Sequence, residues 1–558
     1  MSLVDRRLGL LFACFLVLFT FALLRAAWLQ AVQGGELRAD AQSQQTETVS
    51  IPGVRGTIYD RTGSRTLALS EDAASVFATP FQVKDAPKTA AKLSEALDVD
   101  QSKILELISN RESGFEYLAR KVDLPTANVV EELDLPGVGL LPDSRRVYPE
   151  GELASQVIGT VGIDNEGLTG LEAAEEPTLG GSDGERIVTR DALGSELERS
   201  TTDPSAAGSD LTLTIDASIQ AATERVIQDI GETSQPLGAT AIVMDPQTSE
   251  ILAMANWPRV DPYNLDEAEP EDLVNMATSF TYEPGSTFKA FTVGASLEEG
   301  LVTPNTTFDL PPTLQVADRV IEESHPRGYA TMTVSDILAQ SSNVGAVKVG
   351  LQLNDELGND TFDGWIRKFG FGAPTGIDFP GEEQGIVLTP EEYSGSSMGN
   401  LPLGQGLSVT PIQIANGYAA IANGGILRTP KLVLSENGEA VAPDEGVRVM
   451  SEENAARLRE MLEGVLEAGG TASAVRVPGY VLAGKTGTAQ KVVDGLYSET
   501  DYVGSFVGFA PAEDPRLLVT VVVDTPTVGS YYGGDVAAPA FGEIANFALP
   551  YLGVPRDR

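Results

Sequence analysis

The sequence predicts an α+β protein with a single N-terminal transmembrane helix, a β-rich region, and a C-terminal domain built on an antiparallel sheet flanked by helices. Three observations support this fold class: a long apolar run near the start, paired β-like runs at both ends of the C-terminal part, and helical patterns between those pairs. A chain of 558 residues is too long for one compact core. We therefore expect three segments, which are residues 1–33, 34–205 and 206–558.

The apolar run near the N-terminus is unbroken from Leu8 to Leu24, and its apolar character extends over residues 8–29. A membrane span needs roughly 17–25 residues, whereas the apolar core of a cleavable signal peptide has roughly 7–15. The length therefore favours a single uncleaved anchor, with a cleaved signal peptide as the alternative. Arg6 and Arg7 precede the run, which predicts a cytoplasmic tail and an extracytoplasmic remainder in the cell membrane.

Between the anchor and residue 205 the chain is turn-rich and brings no nucleophiles and bases together. A polar stretch over 33–48 predicts a short stalk, and the run over 55–61 is β-like and ends at a turn. Apolar residues recur at three- and four-residue spacings over 89–97 and 101–109, which predicts two helices. We interpret this region as a scaffold or docking domain.

The C-terminal part begins with a strand predicted over 211–215 and a helix over about 217–230. Helical patterns then occupy the middle, from about residue 286 to 470. Two pairs of β-rich runs joined by short turns enclose these helices: 238–245 with 249–256, and 505–511 with 517–525. Strands at both ends with helices between them indicate an α+β domain.

Composition excludes several kinds of function. The chain has 38 basic and 80 acidic residues, and its net charge of −42 repels nucleic acids, so DNA and RNA are excluded as partners. The only cysteine is Cys14 and the only histidine is His325, which excludes an internal disulfide and a metal site rich in Cys or His. His325 lies in a polar stretch before Pro326, where we expect an exposed turn. A serine enzyme with this composition would use a base other than histidine.

The strongest chemical motif is Ser286-x-x-Lys289, which follows Pro284-Gly285 and precedes an apolar helical stretch. Ser286 would lie in the first turn of that helix, where free backbone N–H groups and the helix dipole favour developing negative charge. Lys289 would share the same helix face and could act as a base if burial or another cation lowers its pKa. The alternative is a capping serine followed by an exposed lysine.

A second motif is Ser341-Ser342-Asn343. The hydroxyl of Ser341 could pass protons between a nucleophile, a lysine and a leaving amine, and the amide of Asn343 could hold a substrate. The spacing alone carries little information, because the chain repeats it at Ser435–Asn437, in what reads as an ordinary turn.

A third motif, Lys485-Thr486-Gly487-Thr488, follows a β-like run and predicts the edge of a strand. Lys485 and Thr486 could bind a carboxylate, and Gly487 would leave room for it. The alternative is a turn at the end of a strand.

The three motifs occur in this order in the one region with strand–helix–strand character. Together they resemble the signature of penicillin-recognising serine acyltransferases and β-lactamases. Over nearly the whole chain the resemblance sharpens to class B penicillin-binding proteins of the division type. The stretches similar to the family's non-catalytic pedestal, or dimerisation domain, are RGTIYDR (55–61), RVYPEG (146–151) and GLTGLE (167–172). Those similar to its transpeptidase domain are YEPGSTFK, SSNVG, GQGLSVTP (404–411), IANGG (421–425), KTGTAQ and GFAPAEDPR (508–516).

The resemblance implies a D,D-transpeptidase that cross-links peptidoglycan stem peptides ending in D-Ala-D-Ala and is inhibited by β-lactams. It implies that Ser286 attacks the carbonyl of the penultimate D-Ala and forms an acyl-enzyme, with Lys289 as the base. Ser341 and Asn343 would line the opposite side of the cleft. No metal or organic cofactor is implied.

The resemblance also implies how substrate is held. Lys485 and Thr486 would hold the terminal carboxylate, and Gly487 would leave room for it. The backbone N–H groups of Ser286 and Thr488 would form the oxyanion hole. The expected partner is a glycosyltransferase of the SEDS family, contacted through the anchor and the pedestal.

The motifs also fit other functions. An elongation-type transpeptidase of the same class is one alternative: SSNVG and the short pedestal motifs favour the division type, whereas GQG at 404–406 occurs in several subtypes. A serine β-lactamase or a D,D-carboxypeptidase would hand the acyl group to water, although the anchor and pedestal argue against it. A β-lactam sensor is disfavoured by the short cytoplasmic tail, and a catalytically silent scaffold is disfavoured by the complete set of motifs.

Overall fold

The computed structural model describes residues 3–33, 35, 46–51, 53–190, 196–493 and 495–557. Most of the stalk predicted over 33–48 lies outside these ranges. The chain divides into two compact units, each made of several segments. The smaller unit comprises Met1–Val54, Asp72–Ser144 and Gly181–Gly208, and the larger unit comprises Arg55–Glu71, Arg145–Gly180 and Ser209–Arg558.

The N-terminal segment forms one helix, Leu3–Ala31. Its stretch Arg6–Ala31 has a mean hydropathy of 2.4 over the most apolar window and is long enough to cross a membrane. The helix predicted for residues 8–29 is therefore confirmed, and it fits a single-pass anchor.

The smaller unit contains the helices Ala86–Leu97 and Gln101–Ser109, which confirm the two helices predicted from the apolar spacing. Each begins at an aspartate: Asp85 accepts a hydrogen bond from the backbone N–H of Lys88, and Asp100 accepts from that of Ser102. A local core forms where these helices meet the neighbouring strands, and it includes Val76, Leu93, Ile104 and Leu118. The other elements of this unit are Thr46–Ile51, Pro80–Gln82, Glu116–Asp123, Leu124–Glu132, Gly184–Arg190 and Glu196–Asp203. The strands Thr66–Ala78 and Val138–Val147 have residues in both units.

The larger unit is built on a five-stranded antiparallel sheet, the central sheet. Its strands, in spatial order, are Glu250–Trp257, Gly238–Asp245, Leu517–Asp524, Leu496–Ala510 and Ala483–Val493. Both predicted strand pairs are confirmed, since 238–245 pairs with 250–257 and 496–510 pairs with 517–524. The strand Ala483–Val493, which carries the Lys485 motif, lies at one edge, as the sequence predicts.

Both faces of the central sheet are buried. In Leu517–Asp524, Val519, Val521 and Val523 belong to one hydrophobic cluster, while Leu518 and Val522 belong to another. Alternate residues of a strand point to opposite faces, so helices on both sides require a continuous apolar run rather than an alternating one. The helices Ala217–Ser234 and Ala538–Tyr551 pack on one face and Pro411–Ala422 packs on the other.

The remaining elements of the larger unit connect and cover this sheet. The helical segments are Ser155–Ile158, Gly170–Ala174, Glu176–Leu179, Leu265–Glu267, Met276–Ser279, Gly285–Phe288, Lys289–Glu298, Val334–Ala339, Asn343–Leu357, Asn359–Lys368, Pro390–Glu392, Ser397–Asn400, Leu401–Leu403, Glu452–Glu463 and Gly533–Val536. The short strands are Ile58–Tyr59, Leu211–Leu213, Thr307–Leu310, Thr313–Val316, Arg319–Glu322, Ala330–Thr333, Ile426–Leu427, Val433–Glu436, Glu439–Ala440 and Val447–Arg448.

Three of the stretches that resemble the pedestal converge on one buried carboxylate, Glu172, which has no exposed surface. The Nε atoms of Arg55 and Arg146 both donate to it, the latter at 2.7 Å. Arg146 also donates through Nη1 to the carbonyl of Gly56, at 2.7 Å. Because a lone buried charge costs several kcal/mol, this cluster requires all of its members. The three stretches, far apart in sequence, are thus one structural element of the larger unit.

Candidate active site

Ser286 lies in a single 3₁₀ turn, Gly285–Phe288, which leads into the helix Lys289–Glu298. The predicted position at the start of a helix is confirmed. Gly285 has φ = +53°, a conformation that favours glycine, and its N–H donates to the carbonyl of Gly404 at 2.9 Å. The Ser286 side chain is half-buried, and no hydrogen bond to its hydroxyl occurs in the described part of the chain.

Lys289 is fully buried, which overturns the alternative of an exposed lysine. Its Nζ atom donates to the carbonyl of Ser341 at 2.7 Å, to the Ser341 hydroxyl at 3.2 Å and to Oδ1 of Asn343 at 2.7 Å. Burial lowers the pKa of Lys289 to about 7, against the opposing effect of the Glu323 carboxylate. The first two predicted motifs therefore meet around one amine whose charge changes near neutral pH.

The turn that holds Ser341 is tight. It connects the helices Val334–Ala339 and Asn343–Leu357, and Ser341 adopts φ = +57°, which is uncommon for a residue with a side chain. This conformation directs both the carbonyl and the hydroxyl of Ser341 to Lys289. Such local strain is typical of functional sites.

Glu323, which no sequence motif singles out, supports this turn through hydrogen bonds to Ser342 and Asn343. Its carboxylate accepts from the Ser342 hydroxyl at 2.5 Å and from the backbone N–H of Asn343 at 2.7 Å, and its side chain is almost wholly buried. The Asn343 amide also donates through Nδ2 to the carbonyl of Glu322, at 2.8 Å. Nothing in the sequence distinguishes Glu323 among 80 acidic residues.

Lys485 is also fully buried, on the edge strand of the central sheet. Among the described residues, its Nζ atom donates to the carbonyl and hydroxyl of the adjacent Thr486 alone, at 3.1 and 3.4 Å. Among the described residues no carboxylate lies within 4 Å of it. Burial, and then the charge of Lys289, hold its pKa well below the ordinary range. Because no counter-ion lies beside this amine among the described residues, a bound anion would favour its ammonium form.

Thr486 and Thr488 leave the strand on the face opposite to Lys485, because side chains alternate along it. The Thr486 hydroxyl lies 2.7 Å from that of Thr471, and the Thr488 hydroxyl accepts from the N–H of Gly533 at 3.1 Å. The long side chain of Lys485 nevertheless brings Nζ to 3.4 Å from the Thr486 hydroxyl. The predicted motif therefore places a lysine amine beside a threonine hydroxyl at the edge of the sheet.

The space beside Gly487 is filled by the chain itself. A Cβ atom there would lie 2.2 Å from Oγ of Ser505, 2.9 Å from Cγ2 of Thr287 and 3.1 Å from the carbonyl oxygen of Pro284. Clearance for a ligand is the role that the sequence predicts for this glycine. In the structure, it allows the edge strand to pack directly against the turn that carries Ser286.

Glu283, three residues before Ser286 in the sequence, is a half-buried carboxyl that no sequence motif singles out. One oxygen accepts from the N–H of Gly406 at 2.8 Å and from the hydroxyl of Tyr497 at 3.1 Å. The other oxygen is buried without a hydrogen-bond partner among the described residues, and burial raises the pKa of this carboxyl. The only sequence signal for Glu283 is its position three residues before Ser286.

Aromatic rings line the chain next to Thr488. The ring centroids of Tyr502 and Tyr531 are 4.1 Å apart, those of Tyr531 and Tyr532 are 4.6 Å apart, and those of Tyr532 and His325 are 5.7 Å apart. His325 is exposed, as predicted, and makes no contact with Ser286 or Lys289 that would suit a base. Within the described ranges no group of three or more His, Cys, Asp or Glu side chains is arranged to hold a metal ion.

The repeated spacing at Ser435–Asn437 is an ordinary turn, as the sequence predicts. Asn437 has φ = +47° and joins the short strands Val433–Glu436 and Glu439–Ala440. Its side chain accepts from the N–H of Asp210, at 2.9 Å. The Ser-x-Asn spacing carries chemical meaning only at Ser341–Asn343.

An antiparallel sheet between helical layers, with a serine at a helix start and a buried lysine three residues later, defines the class of serine acyltransferases that use lysine in place of histidine. Residues 239–546 match the family described as the penicillin binding protein transpeptidase domain, and residues 50–213 match the penicillin-binding protein dimerisation domain. The chain belongs to the penicillin-binding protein family.

Relatives are similar along nearly the whole chain. Stage V sporulation protein D of Bacillus subtilis is 36% identical, over 99% of this chain and 87% of the relative. Peptidoglycan D,D-transpeptidase FtsI of Escherichia coli is 33% identical, over 100% of this chain and 93% of the relative. The crystal structure of penicillin binding protein 3 from Mycobacterium tuberculosis, complexed with aztreonam, has a TM-score of 0.71 and 28% identity, and the match covers 91% of this chain and 98% of that one.

Proposed function

We propose that this protein is a peptidoglycan D,D-transpeptidase that cross-links stem peptides through an acyl-enzyme on Ser286 and is a target of β-lactams. The observation that carries the proposal is the position of Lys289. It is a buried amine with a pKa of about 7, one helical turn after Ser286 and in hydrogen-bond contact with Ser341 and Asn343. The transpeptidase named among the relatives supports the same reaction.

In the first step, the Ser286 hydroxyl attacks the carbonyl carbon of the penultimate D-Ala, and its proton passes to the neutral amine of Lys289. A neutral amine has two N–H groups and one lone pair. The Ser341 carbonyl and Asn343 Oδ1 can only accept hydrogen bonds, so they pair with the two N–H groups. The Ser341 hydroxyl can also donate a hydrogen bond, so it pairs with the lone pair. Ser341 is therefore the group through which a proton can reach or leave Lys289, and from there the leaving amine of the terminal D-Ala.

Substrate binding uses the edge strand. We assign the terminal carboxylate of the stem peptide to the cation of Lys485 and the hydroxyl of Thr486, because the buried Lys485 has no anionic partner of its own among the described residues. The backbone N–H groups of Ser286 and Thr488 form the oxyanion hole in this scheme. Gly487 acts by allowing the strand to approach the turn of Ser286.

In the second step, an amine of a neighbouring stem peptide attacks the acyl-enzyme carbonyl, loses a proton to Lys289 and releases Ser286. Water in place of the amine would give the carboxypeptidase or β-lactamase reaction. The dimerisation-domain match and the apolar N-terminal helix favour transfer to an amine, since a soluble hydrolase needs neither.

The setting in the cell is also part of the proposal. The helix over residues 8–29 would anchor the protein with Arg6 and Arg7 in the cytoplasm and the enzyme outside. We assign the protein to the division-type branch, with septal synthesis as its role and a SEDS-family glycosyltransferase as its partner. Residues 34–205 would serve as the docking domain and residues 206–558 as the enzyme domain.

The test is covalent labelling of the full chain in detergent with a fluorescent penicillin, read by denaturing gel and intact mass. Wild type should retain a stable adduct that is absent from Ser286→Ala. Ser435→Ala, at the repeated spacing, is the matched control and should label like wild type. An adduct that disappears while penicillin is consumed would indicate a hydrolase, and labelling of folded Ser286→Ala would refute the assignment.

A further inference from the structure

A cavity of about 350 Å³ lies in the larger unit beside the end of the central sheet, among Leu237, Asn256, Trp257, Phe280 and Asp524. Its volume is at the small end of the roughly 300–1,000 Å³ range of small-molecule sites. None of the residues assigned to the transpeptidase reaction lines it.

The floor of this cavity contains an amide without partners. Asn256 is only 4% exposed, and among the described residues neither its Nδ2 nor its Oδ1 has a hydrogen-bond partner. Buried amides are almost always paired, so this one calls for a ligand or water. Asn256 also borders a second cavity of about 10 Å³, which has room for about one water. One water can serve one end of the amide, which leaves the other end for the larger cavity.

The charges around the cavity select the sign of a ligand. Asp524 is neutralised by Lys491, whose Nζ lies 2.7 and 2.9 Å from its two oxygens. Glu271 and Asp272 also line the cavity, and in the described part of the chain no basic side chain pairs with either. Two uncompensated carboxylates, on a chain of net charge −42, repel an anion and attract a cation.

The remaining walls are apolar. Leu237 is 66% exposed and Val274 45% exposed at the rim, although both are large hydrophobic residues. The Trp257 ring packs closely on Gly231, where a Cβ atom would lie 2.3 Å from the indole, so the ring is held in place. A fixed indole and exposed aliphatic groups suit the apolar body of a ligand, and an aromatic face also attracts an ammonium group.

We propose that this cavity binds a small organic ammonium ion with an apolar body. The ammonium group lies beside the carboxylates of Glu271 and Asp272 and donates to Oδ1 of Asn256, and the apolar body contacts Trp257. Because this site is separate from the Ser286 chemistry, the inference does not depend on the proposed function.

The probe is phenethylamine, and its matched neutral control is phenethyl alcohol, which has the same apolar body without the charge. Each is titrated calorimetrically into the full chain in lipid nanodiscs, with empty nanodiscs as the blank. We expect saturable binding of the amine at millimolar concentration and at least about tenfold weaker binding of the alcohol. No saturation by the amine, or equal binding of the two probes, would overturn the proposal.

Two variants locate the binding. Glu271→Gln combined with Asp272→Asn should weaken amine binding about fivefold or more, because two partly exposed charge contacts are lost. The matched control is Glu131→Gln with Glu132→Gln, an adjacent exposed acidic pair far along the chain, which should bind like wild type. If both double variants weaken amine binding equally, the cause is the net charge of the protein rather than a local contact, and the proposed site is refuted.

Asn256→Leu tests the amide. It should abolish saturable binding of phenethylamine, while penicillin labelling of Ser286 shows that the protein remains folded. If Asn256→Leu binds the amine as well as wild type does, the amide is not part of the site and the proposal fails. If penicillin does not label the Asn256→Leu protein, amine binding by the Glu271→Gln, Asp272→Asn double variant alone decides whether the proposal stands. Labelling of the Glu271 and Asp272 variant should equal wild type, so the failure of this site and the failure of the proposed function are distinguishable.

Discussion

The Nζ atom of Lys289 lies 2.7 Å from Oδ1 of Asn343. The two residues are 54 positions apart, and each is the first residue of a different helix, Lys289–Glu298 and Asn343–Leu357. This contact makes Asn343 a direct neutral neighbour of an amine whose pKa burial lowers to about 7. A change of charge at position 343 should therefore alter when Lys289 becomes neutral.

Acylation by penicillin should follow the titration of Lys289. Burial lowers the pKa of this amine to about 7, so the neutral form gains population as pH rises through that value, and the acylation rate should rise with it. In Asn343→Asp, a carboxylate beside Nζ stabilises the ammonium form, which should move the midpoint up by about one pH unit or more. The measurement is the acylation rate of each protein against pH. An unchanged midpoint in a folded Asn343→Asp protein would show that Lys289 does not control the rate.

Glu323→Gln should move the same midpoint in the opposite direction. The Glu323 carboxylate raises the pKa of Lys289, so its removal lowers that pKa and shifts the profile to lower pH. The plateau rate should also fall about tenfold, because one of the two donors held by the carboxylate, the Ser342 hydroxyl or the Asn343 N–H, loses its acceptor.

The matched control is Glu322→Gln, the exposed neighbour, which contributes only its backbone carbonyl to Asn343. Its pH profile and plateau should equal those of wild type. Equal effects at positions 322 and 323 would indicate a general charge effect rather than support of the Ser341–Asn343 turn.

Gly487→Ala should abolish most labelling by displacing the edge strand from the Ser286 turn. The added methyl group would meet Ser505 Oγ at 2.2 Å and the Pro284 carbonyl at 3.1 Å, and the second atom belongs to backbone that cannot move without Ser286. Overpacking of this kind costs typically 1–3 kcal/mol, and at this position the cost falls on the site itself.

Gly364→Ala provides the comparison for that variant. Gly364 lies in the helix Asn359–Lys368, with nothing within 4 Å of an added Cβ. Labelling should be unchanged, and the free energy of unfolding should rise by about 0.5–1 kcal/mol, because alanine is the better helix former. Normal labelling of Gly487→Ala would show that acylation does not require the close approach of the edge strand to the Ser286 turn.

Glu172→Gln should lower the free energy of unfolding of the larger unit by about 3–5 kcal/mol, because Arg146 remains buried without its counter-ion and Arg55 keeps only Glu176. Glu71→Gln breaks an exposed ion pair with Arg145, 2.9 Å apart, and should cost about 0–1 kcal/mol. Thermal unfolding monitored by circular dichroism compares the two variants. Similar, small losses would show that the Glu172 cluster is not a stabilising element.

The local structure followed from the sequence wherever neighbouring residues decide it. The hairpin of 238–245 with 250–257 was predicted from β-rich runs around a short turn, and the helix Gln101–Ser109 from apolar spacing, with Asp100 as its cap in the structure. The edge position of Ala483–Val493 also agreed. Ser286 and Lys289 could be predicted together as candidate site residues, because they are close enough in sequence for helix geometry alone to relate them.

The sequence by itself determined the fold class and the apolar helix, and it predicted a base other than histidine and the candidate residues for the chemistry, since each depends on composition or short-range spacing. Only the tertiary structure decided that Glu323 supports Asn343, that Gly487 packs against the Ser286 turn, and that Asn256 lies unpaired in a cavity. The tertiary structure also decided the pKa of Lys289, because that pKa depends on burial and on the charge of Glu323. These contacts join residues far apart in sequence, such as Glu323 with Asn343 and Gly487 with Pro284; they arise from packing, and no local periodicity encodes them.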